Sequence, residues 1–130
     1  MIEGGCHCGK VRYVLRGDPV RHAVCTCRDC QRAAGAPLVG WAVVDDDKLT
    51  VTGEVASYNS SGDVQRQFCP ACGTGLFYRS ETIFPGQVDV QSATFDDPDA
   101  DAPTCRVQLA DAPRWLAGLD SLPGYERYPG

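Results

Sequence analysis

A chain of 130 residues, 43% hydrophobic and 22% charged, is long enough for one hydrophobic core, and we expect a single domain over residues 1–130. Its formal charge of −5, from 17 acidic and 12 basic residues, repels phosphate backbones and anionic bilayers, so neither nucleic acid nor membrane is an expected partner. No stretch approaches the ~20 apolar residues of a bilayer span, and Met1-Ile2-Glu3-Gly4-Gly5 opens without the basic start and apolar run of a secretory signal, so a reduced, cytoplasmic setting is expected.

Along the chain the hydrophobic period is two, with frequent glycine and proline punctuation, which predicts a mainly β fold. Val11, Tyr13 and Leu15 alternate with polar neighbours until Gly17-Asp18-Pro19 ends the run. Arg28 to Ala34 is the only helical stretch, a turn or two stopped by Gly35 and Pro37. Leu38 to Val44 reads as a strand, Asp45 to Lys48 as an acidic turn, and Leu49, Val51 and Val55 as the partner strand. Asn59-Ser60-Ser61-Gly62 turns the chain into a strand over Val64 to Phe68, and Leu76 to Tyr78 and Val88 to Phe95 supply two more. Asp96 to Thr104 reads as a solvated loop. Trp41 and Phe77 are expected in the core, whereas Trp115 is open between the core and a cover over a pocket mouth.

Seven of the eight cysteines fall into three groups, Cys6/Cys8, Cys25/Cys27/Cys30 and Cys69/Cys72. A disulfide needs Cα atoms several Å apart with a defined dihedral, so a bridge within Cys-x-Cys would be badly strained. Thiolates at these spacings instead converge on one small, soft cation, and Zn²⁺ is the tetrahedral ion that fits. In Cys69-Pro70-Ala71-Cys72-Gly73-Thr74-Gly75 the proline fixes φ and the glycines let N–H groups turn toward sulfur. A structural zinc takes four ligands, so Cys69 and Cys72 need a second pair. Cys6 and Cys8, flanked by Gly4, Gly5 and Gly9, complete the count. Cys25, Cys27 and Cys30 remain as a set of three, which either leaves a coordination position open for chemistry or is closed by a fourth ligand such as Cys105 or His22.

The three segments Gly4-Gly5-Cys6-His7-Cys8-Gly9-Lys10-Val11-Arg12-Tyr13, Cys25-Thr26-Cys27-Arg28-Asp29-Cys30-Gln31-Arg32 and Phe68-Cys69-Pro70-Ala71-Cys72-Gly73-Thr74-Gly75-Leu76-Phe77 occur in the order of a known family. Together they resemble the glutathione-dependent formaldehyde-activating enzymes, which include the centromere-protein-V type. The resemblance implies a β-tent of small antiparallel sheets stapled by zinc, with one or two short helical turns. It implies two zinc ions per chain, one structural on Cys6, Cys8, Cys69 and Cys72, the other catalytic on Cys25, Cys27 and Cys30. The reaction it implies is carbon–sulfur lyase chemistry, in which glutathione and formaldehyde form S-hydroxymethylglutathione or the adduct is cleaved. The tail departs from the family pattern: a His and an aromatic are usual where this chain reads Cys105-Arg106-Val107-Gln108, although Trp115-Leu116 and Leu122-Pro123 follow as expected.

Elementary chemistry agrees with an open three-cysteine site. Coordination removes a thiol's proton at neutral pH, and a sulfur on an already thiolate-rich centre stays nucleophilic toward a small aldehyde. The partners are then a small thiol such as glutathione and a small aldehyde. Arg28, Gln31 and Arg32, beside the three cysteines, are candidates to clamp the carboxylates of such a peptide. His22 is a candidate proton carrier, and it and His7 have a supporting role beside the ligands as the alternative. A non-catalytic zinc-stabilised binding module is the other function these residues allow.

Overall fold

A computed structural model describes residues 1–130. In chain order its elements are β1 (Ile2–Gly5), β2 (Arg12–Leu15), β3 (Arg21–Cys25), α1 (Arg28–Ala34), β4 (Val39–Asp45), β5 (Leu49–Thr52), β6 (Ala56–Ser61), β7 (Val64–Phe68), β8 (Gly75–Arg79), β9 (Gln87–Gln91) and β10 (Cys105–Val107). Four short 3₁₀ segments join or follow them, the last two within Leu109 to Ser121. The strands form a three-stranded sheet in the order β1-β2-β5 and a seven-stranded sheet in the order β10-β3-β4-β9-β8-β7-β6. All pairs are antiparallel except β10 with β3. This is the mainly β architecture that the period-two pattern calls for, divided into sheets as the resemblance implies.

The strand period of two divides the residues of the large sheet between two faces. Ala42 and Val44 of β4 and Val88 and Val90 of β9 point to the small sheet, where they join Ile2, Tyr13 and Leu15 in the main core. Leu76 and Phe77 belong to it too, and the Tyr13 and Phe77 rings meet edge to face at 5.6 Å. Each fully buried aliphatic chain here contributes roughly 1.5–3 kcal/mol. Residues one position away face the opposite side. There the register aligns Arg21, Val43, Asp89, Tyr78 and Arg66 in one row across β3, β4, β9, β8 and β7. Helix α1 covers part of that second face, over a small cluster of Cys25, Cys30, Val39 and Trp41.

Several sequence expectations are corrected by this topology. The acidic segment Asp45 to Lys48 does not close a hairpin: β4 pairs with β3 and β9, whereas β5 pairs with β2 in the other sheet. Asp46–Lys48 is a 3₁₀ turn that carries the chain between sheets, a switch that period-two patterning cannot distinguish from a hairpin. Asn59 to Ser61 belong to strand β6, and the turn falls later, because the Asn59 amide donates to the carbonyls of Gly62 and Val64 and bridges it. The strand expected over Val88 to Phe95 ends at Gln91, where a 3₁₀ turn over Ser92–Thr94 brings Phe95 to an isolated bridge with Gly4. Asp96 to Thr104 is exposed over most of its length yet anchored, through the Asp96–Arg12 ion pair and the hydrogen bond between Asp101 and His22.

Candidate metal centres and the cavity beside one of them

Cys6 and Cys8 lie on the loop from β1 to β2, and Cys69 and Cys72 on the loop from β7 to β8, so each pair belongs to a different sheet. Both loops turn on a glycine directly after the second cysteine, Gly9 at φ +83° and Gly73 at φ +81°, a conformation that side-chain-bearing residues adopt only with strain. The turns aim N–H groups inward: Val11 N–H donates to Cys6 Sγ at 3.2 Å, and Gly73 N–H to the Cys69 carbonyl at 2.8 Å. All four sulfurs lie within 4.8 Å of one another. Cys6 to Cys8 is 3.6 Å and Cys8 to Cys69 is 3.8 Å between sulfurs. A tetrahedral zinc with Zn–S of about 2.3 Å has sulfur edges of about 3.8 Å, whereas a disulfide would bring sulfurs to about 2.05 Å. The donor set therefore fits a closed four-thiolate metal site. The hydroxyl of Thr74, 3.2 Å from Cys72 Sγ, together with the Thr74 N–H, pulls Cys72 down to about 5, which readies it as a thiolate.

Cys25, Cys27 and Cys30 form the second group, their sulfurs also within 4.8 Å of one another and joined by no His, Asp or Glu. Cys25 ends β3, Cys27 caps α1 by accepting from the Cys30 N–H at 3.3 Å, and Cys30 lies in the helix. Burial works against ionisation of all three and pushes Cys25 up to about 12. Cys27 nevertheless lies below the ordinary thiol range, because the Cys30 N–H and the neighbouring thiols stabilise its charge. The Arg66 guanidinium approaches Cys30 Sγ at 3.8 and 3.9 Å and stacks over the Tyr78 ring at 5.1 Å. Neither closing ligand considered from sequence is present. Cys105 is exposed on β10, and the buried His22 points to the other face, with Nδ1 2.7 Å from Asp101 and Nε2 2.9 Å from Ser92.

The three cysteines line a cavity of about 320 Å³ whose walls are mostly apolar. The cross-strand row Arg21, Val43, Asp89, Tyr78 and Arg66 forms its floor, Trp41 and Phe84 are in its walls, and Val107 and Gln108 line its edge. Gln108 holds a left-handed backbone at φ +59°, and Thr26 Oγ1 donates to its carbonyl at 2.8 Å. A non-glycine residue kept in that region stores strain of order 1 kcal/mol, which clusters at functional sites. Of the divergent tail, then, Val107 and Gln108 reach this cavity, whereas Arg106 lines a separate apolar groove with Leu109 and Leu116.

The residues named as carboxylate clamps fall elsewhere. Arg28, Gln31 and Arg32 project from one side of α1 into a groove shared with Trp115, while Asp29 and Cys30 on the other side face the cavity. Gln31 is buried, and its amide donates to the Thr26 carbonyl at 2.6 Å and the Asp111 carbonyl at 3.1 Å, which ties the tail to the helix. Only Arg28 and Arg32 of the three are exposed, and Arg28 itself bonds Gln31. His7 is exposed beside the four-cysteine group, and its backbone N–H donates to Thr74.

Sequence reading missed Arg21, Arg66, Tyr78 and Asp89, because a charged or aromatic residue in a β-strand looks the same whether it faces water or a cavity. Asp89 is the least expected. Only 7% exposed, it leaves Oδ1 without any hydrogen-bond partner. Burial raises it to about 7, with the Arg21 charge working in the opposite direction. Arg21 does not pair with it and instead stacks on Phe84 at 4.9 Å. An unsatisfied buried oxygen of this kind costs about 1–3 kcal/mol. The linkage sign follows from the raised value. Folded protein keeps a proton that unfolded chain releases near pH 3.8, so stability falls as pH rises from about 3.8 to about 7 and is level above that. At ~1.4 kcal/mol per pH unit, wild type should lose ~2 kcal/mol relative to Asp89→Asn between pH ~5.5 and ~8.5. Denaturant unfolding of both zinc-loaded proteins at the two pH values measures this, and an equal difference at each would remove the titration from the account.

The family model for glutathione-dependent formaldehyde-activating enzymes matches residues 1–111. A Halomonas elongata protein carrying that name is 30% identical over 131 aligned positions, 89% of this chain and 80% of its own length. A Talaromyces marneffei protein of the same name is 30% identical over 85 positions, 62% of this chain and 46% of its own length. In Emericella nidulans the corresponding figures are 31%, 85 positions, 62% and 43%, so this chain spans less than half of these two fungal relatives. Among solved structures, a Rhodobacter sphaeroides protein shares the fold, with a TM-score of 0.63 at 21% identity over 81% of this chain and 99% of that one. The matched span holds all seven clustered cysteines and the whole cavity row, and the chain belongs to the glutathione-dependent formaldehyde-activating enzyme family.

Proposed function

We propose that residues 1–130 act as one zinc domain that makes or breaks the carbon–sulfur bond of a small thiol–aldehyde adduct, S-hydroxymethylglutathione being the first candidate. One observation carries this reading: three cysteines lining a mostly apolar cavity, with no fourth protein ligand grouped with them. Cys6, Cys8, Cys69 and Cys72 would hold a structural ion between the two sheets, and Cys25, Cys27 and Cys30 a second ion beside the cavity. At the second site zinc would supply a position at which an incoming thiol loses its proton.

The chain's own residues do the rest. Arg66, against Cys30, offsets the negative charge that gathers on three thiolates. Trp41, Val43 and Phe84 exclude water around the reacting sulfur. Arg21, the cavity cation that no cysteine engages, is the partner for a carboxylate of the thiol substrate. Arg28 and Arg32 remain candidates for a second carboxylate on the adjoining groove. The cavity's modest volume suits formaldehyde or a similarly small aldehyde.

Metal analysis of freshly purified protein should give two zinc ions per chain, one resistant to chelation and one labile on Cys25, Cys27 and Cys30. In the cobalt-substituted protein, glutathione should strengthen the sulfur-to-metal charge-transfer band. Thiol–formaldehyde exchange should run faster than with an equal concentration of Cys27→Ser, the control that the fast uncatalysed addition requires. A single ion per chain, or a silent cobalt spectrum together with a rate equal to that of Cys27→Ser, would leave the zinc-stabilised binding module as the better reading.

A further inference from the structure

The carbon–sulfur reading leaves a proton unassigned. When sulfur attacks an aldehyde carbon, the carbonyl oxygen must gain a proton to become the hydroxyl of the adduct, and in the reverse direction that hydroxyl must lose one. Neither histidine can serve. His22 has both ring nitrogens engaged on the opposite face of the sheet, and His7 lies at the other cysteine group. We infer that Asp89 is the proton carrier of this site, a catalytic carboxyl that exchanges its proton with the aldehyde oxygen within the cavity that the three cysteines line.

Three independent observations carry this. Asp89 and the cysteines line one cavity, in which Asp89 occupies the middle of the five-strand row. Its Oδ1 is buried with no partner in the protein, so the fold provides a hydrogen-bonding atom and withholds anything to satisfy it. The groups facing it are otherwise committed or of the wrong kind. Arg21 from β3 stacks on Phe84 and cannot give up a proton, Arg66 from β7 is engaged with Cys30 and Tyr78, and the cysteines are the proposed ligands. Tyr78 from β8 is held by burial above the ordinary phenol range, which makes it a weaker acid still. Asp29, from α1, also lines the cavity but is exposed. A carboxyl raised to about 7 is matched to proton transfer at neutral pH in either direction.

The step balances as follows. The thiol gives its proton to solvent on binding. Its sulfur forms the S–C bond, the C=O π pair moves onto oxygen, and the Asp89 carboxyl donates a proton to that oxygen, which leaves a hydroxymethyl thioether and a carboxylate. Solvent then returns a proton to Asp89. In breakdown the carboxylate takes the hydroxyl proton, the C=O bond forms as the S–C bond breaks with its electron pair on sulfur, formaldehyde is released, and the thiolate takes a proton from solvent as it leaves while Asp89 gives its own back.

This inference rests on the carbon–sulfur reading, and the test separates the two. Exchange NMR between free formaldehyde and its glutathione adduct, at subsaturating adduct, is run on zinc-loaded wild type, Asp89→Asn and Cys27→Ser. Asp89→Asn should retain both zinc ions and the glutathione-dependent cobalt band, while its acceleration of exchange falls roughly 10²–10⁴-fold. The wild-type rate should fall as pH drops below about 7, where the carboxylate is lost, and that limb should be missing from the variant. An infrared difference spectrum between wild type and variant should show a carboxylic acid converting to carboxylate with a midpoint at about 7. An Asp89→Asn rate within twofold of wild type, or an infrared midpoint at the ordinary aspartate value, overturns the role of Asp89 alone. A wild type that neither responds to glutathione at cobalt nor outpaces Cys27→Ser overturns the carbon–sulfur reading, and this role with it.

Discussion

Cys69→Ser should unfold the domain or lower its melting temperature steeply, whereas Cys27→Ser should melt near wild type. The difference follows from what each cysteine joins. Cys69, 1% exposed within the main core, lies between β7 and β8, and its sulfur is 3.8 Å from that of Cys8 in the other sheet. An ion held there cross-links the two sheets that share the core. Structural zinc contributes apparent free energies of about 10–16 kcal/mol in small zinc domains, comparable to or greater than the ~5–15 kcal/mol net stability of a whole protein. Losing one ligand leaves three thiolates around the ion and, within the core, a hydroxyl without a metal partner. Cys25, Cys27 and Cys30, by contrast, all come from one stretch of chain, β3 and the first turn of α1, so an ion on them ties together residues already close in sequence. Loop-closure entropy makes that cross-link far less valuable to folding. Thermal melts of the two variants beside wild type, each with its zinc content measured, test the division. Equal melting temperatures would show that the sites do not divide into structural and reactive.

The same contrast marks what could be read from sequence. Spacing revealed the cysteine groups, because ligands two or three residues apart must converge wherever the chain goes. The helix was legible over Arg28 to Ala34, since Gly35 and Pro37 stop it. Strand positions were legible through Tyr13 and Leu15, whose alternation records a buried face, and through the continuous apolar run to Val44, which is buried on both faces. Which strands pair was not. Asp46 to Lys48 looks like any acidic hairpin turn, and nothing local shows that the chain leaves one sheet for the other there. The cavity suffered from the same blindness. Arg21, Asp89, Tyr78 and Arg66 come from four strands, and only the register between strands sets them in one row. Arg28 and Arg32 attracted notice by standing next to the cysteines in sequence, but helical geometry turns them to the far side of α1.

Arg66→Met should weaken the labile zinc roughly 10–100-fold, or about 1.4–2.7 kcal/mol, and leave the resistant one untouched. Three thiolates around a dication carry a net charge of −1, and at a largely buried site that charge is poorly screened. Arg66, only 8% exposed, places its guanidinium 3.8 and 3.9 Å from Cys30 Sγ, with Tyr78 stacked beneath it and Ser60 Oγ accepting from Nε at 3.1 Å. It therefore supplies the compensating positive charge in a fixed position. Methionine preserves most of the packing on Tyr78 and removes only the charge and its N–H donors, and Arg66→Lys restores the charge without the planar fork. Chelator competition on the zinc-loaded proteins should therefore rank wild type above Arg66→Lys and Arg66→Met last, with melting temperatures recorded to show that each variant is folded. Equal affinity of the labile ion in Arg66→Met and wild type would mean that Arg66 serves to pack Tyr78 rather than to balance the thiolates. The buried cation also bears on the reaction, because a further thiolate entering the site would raise its negative charge to −2, and Arg66 is the one group touching a cysteine of that site that can offset the increase. The Arg66→Met protein should accordingly show a weaker response of the cobalt band to glutathione than wild type at equal metal occupancy.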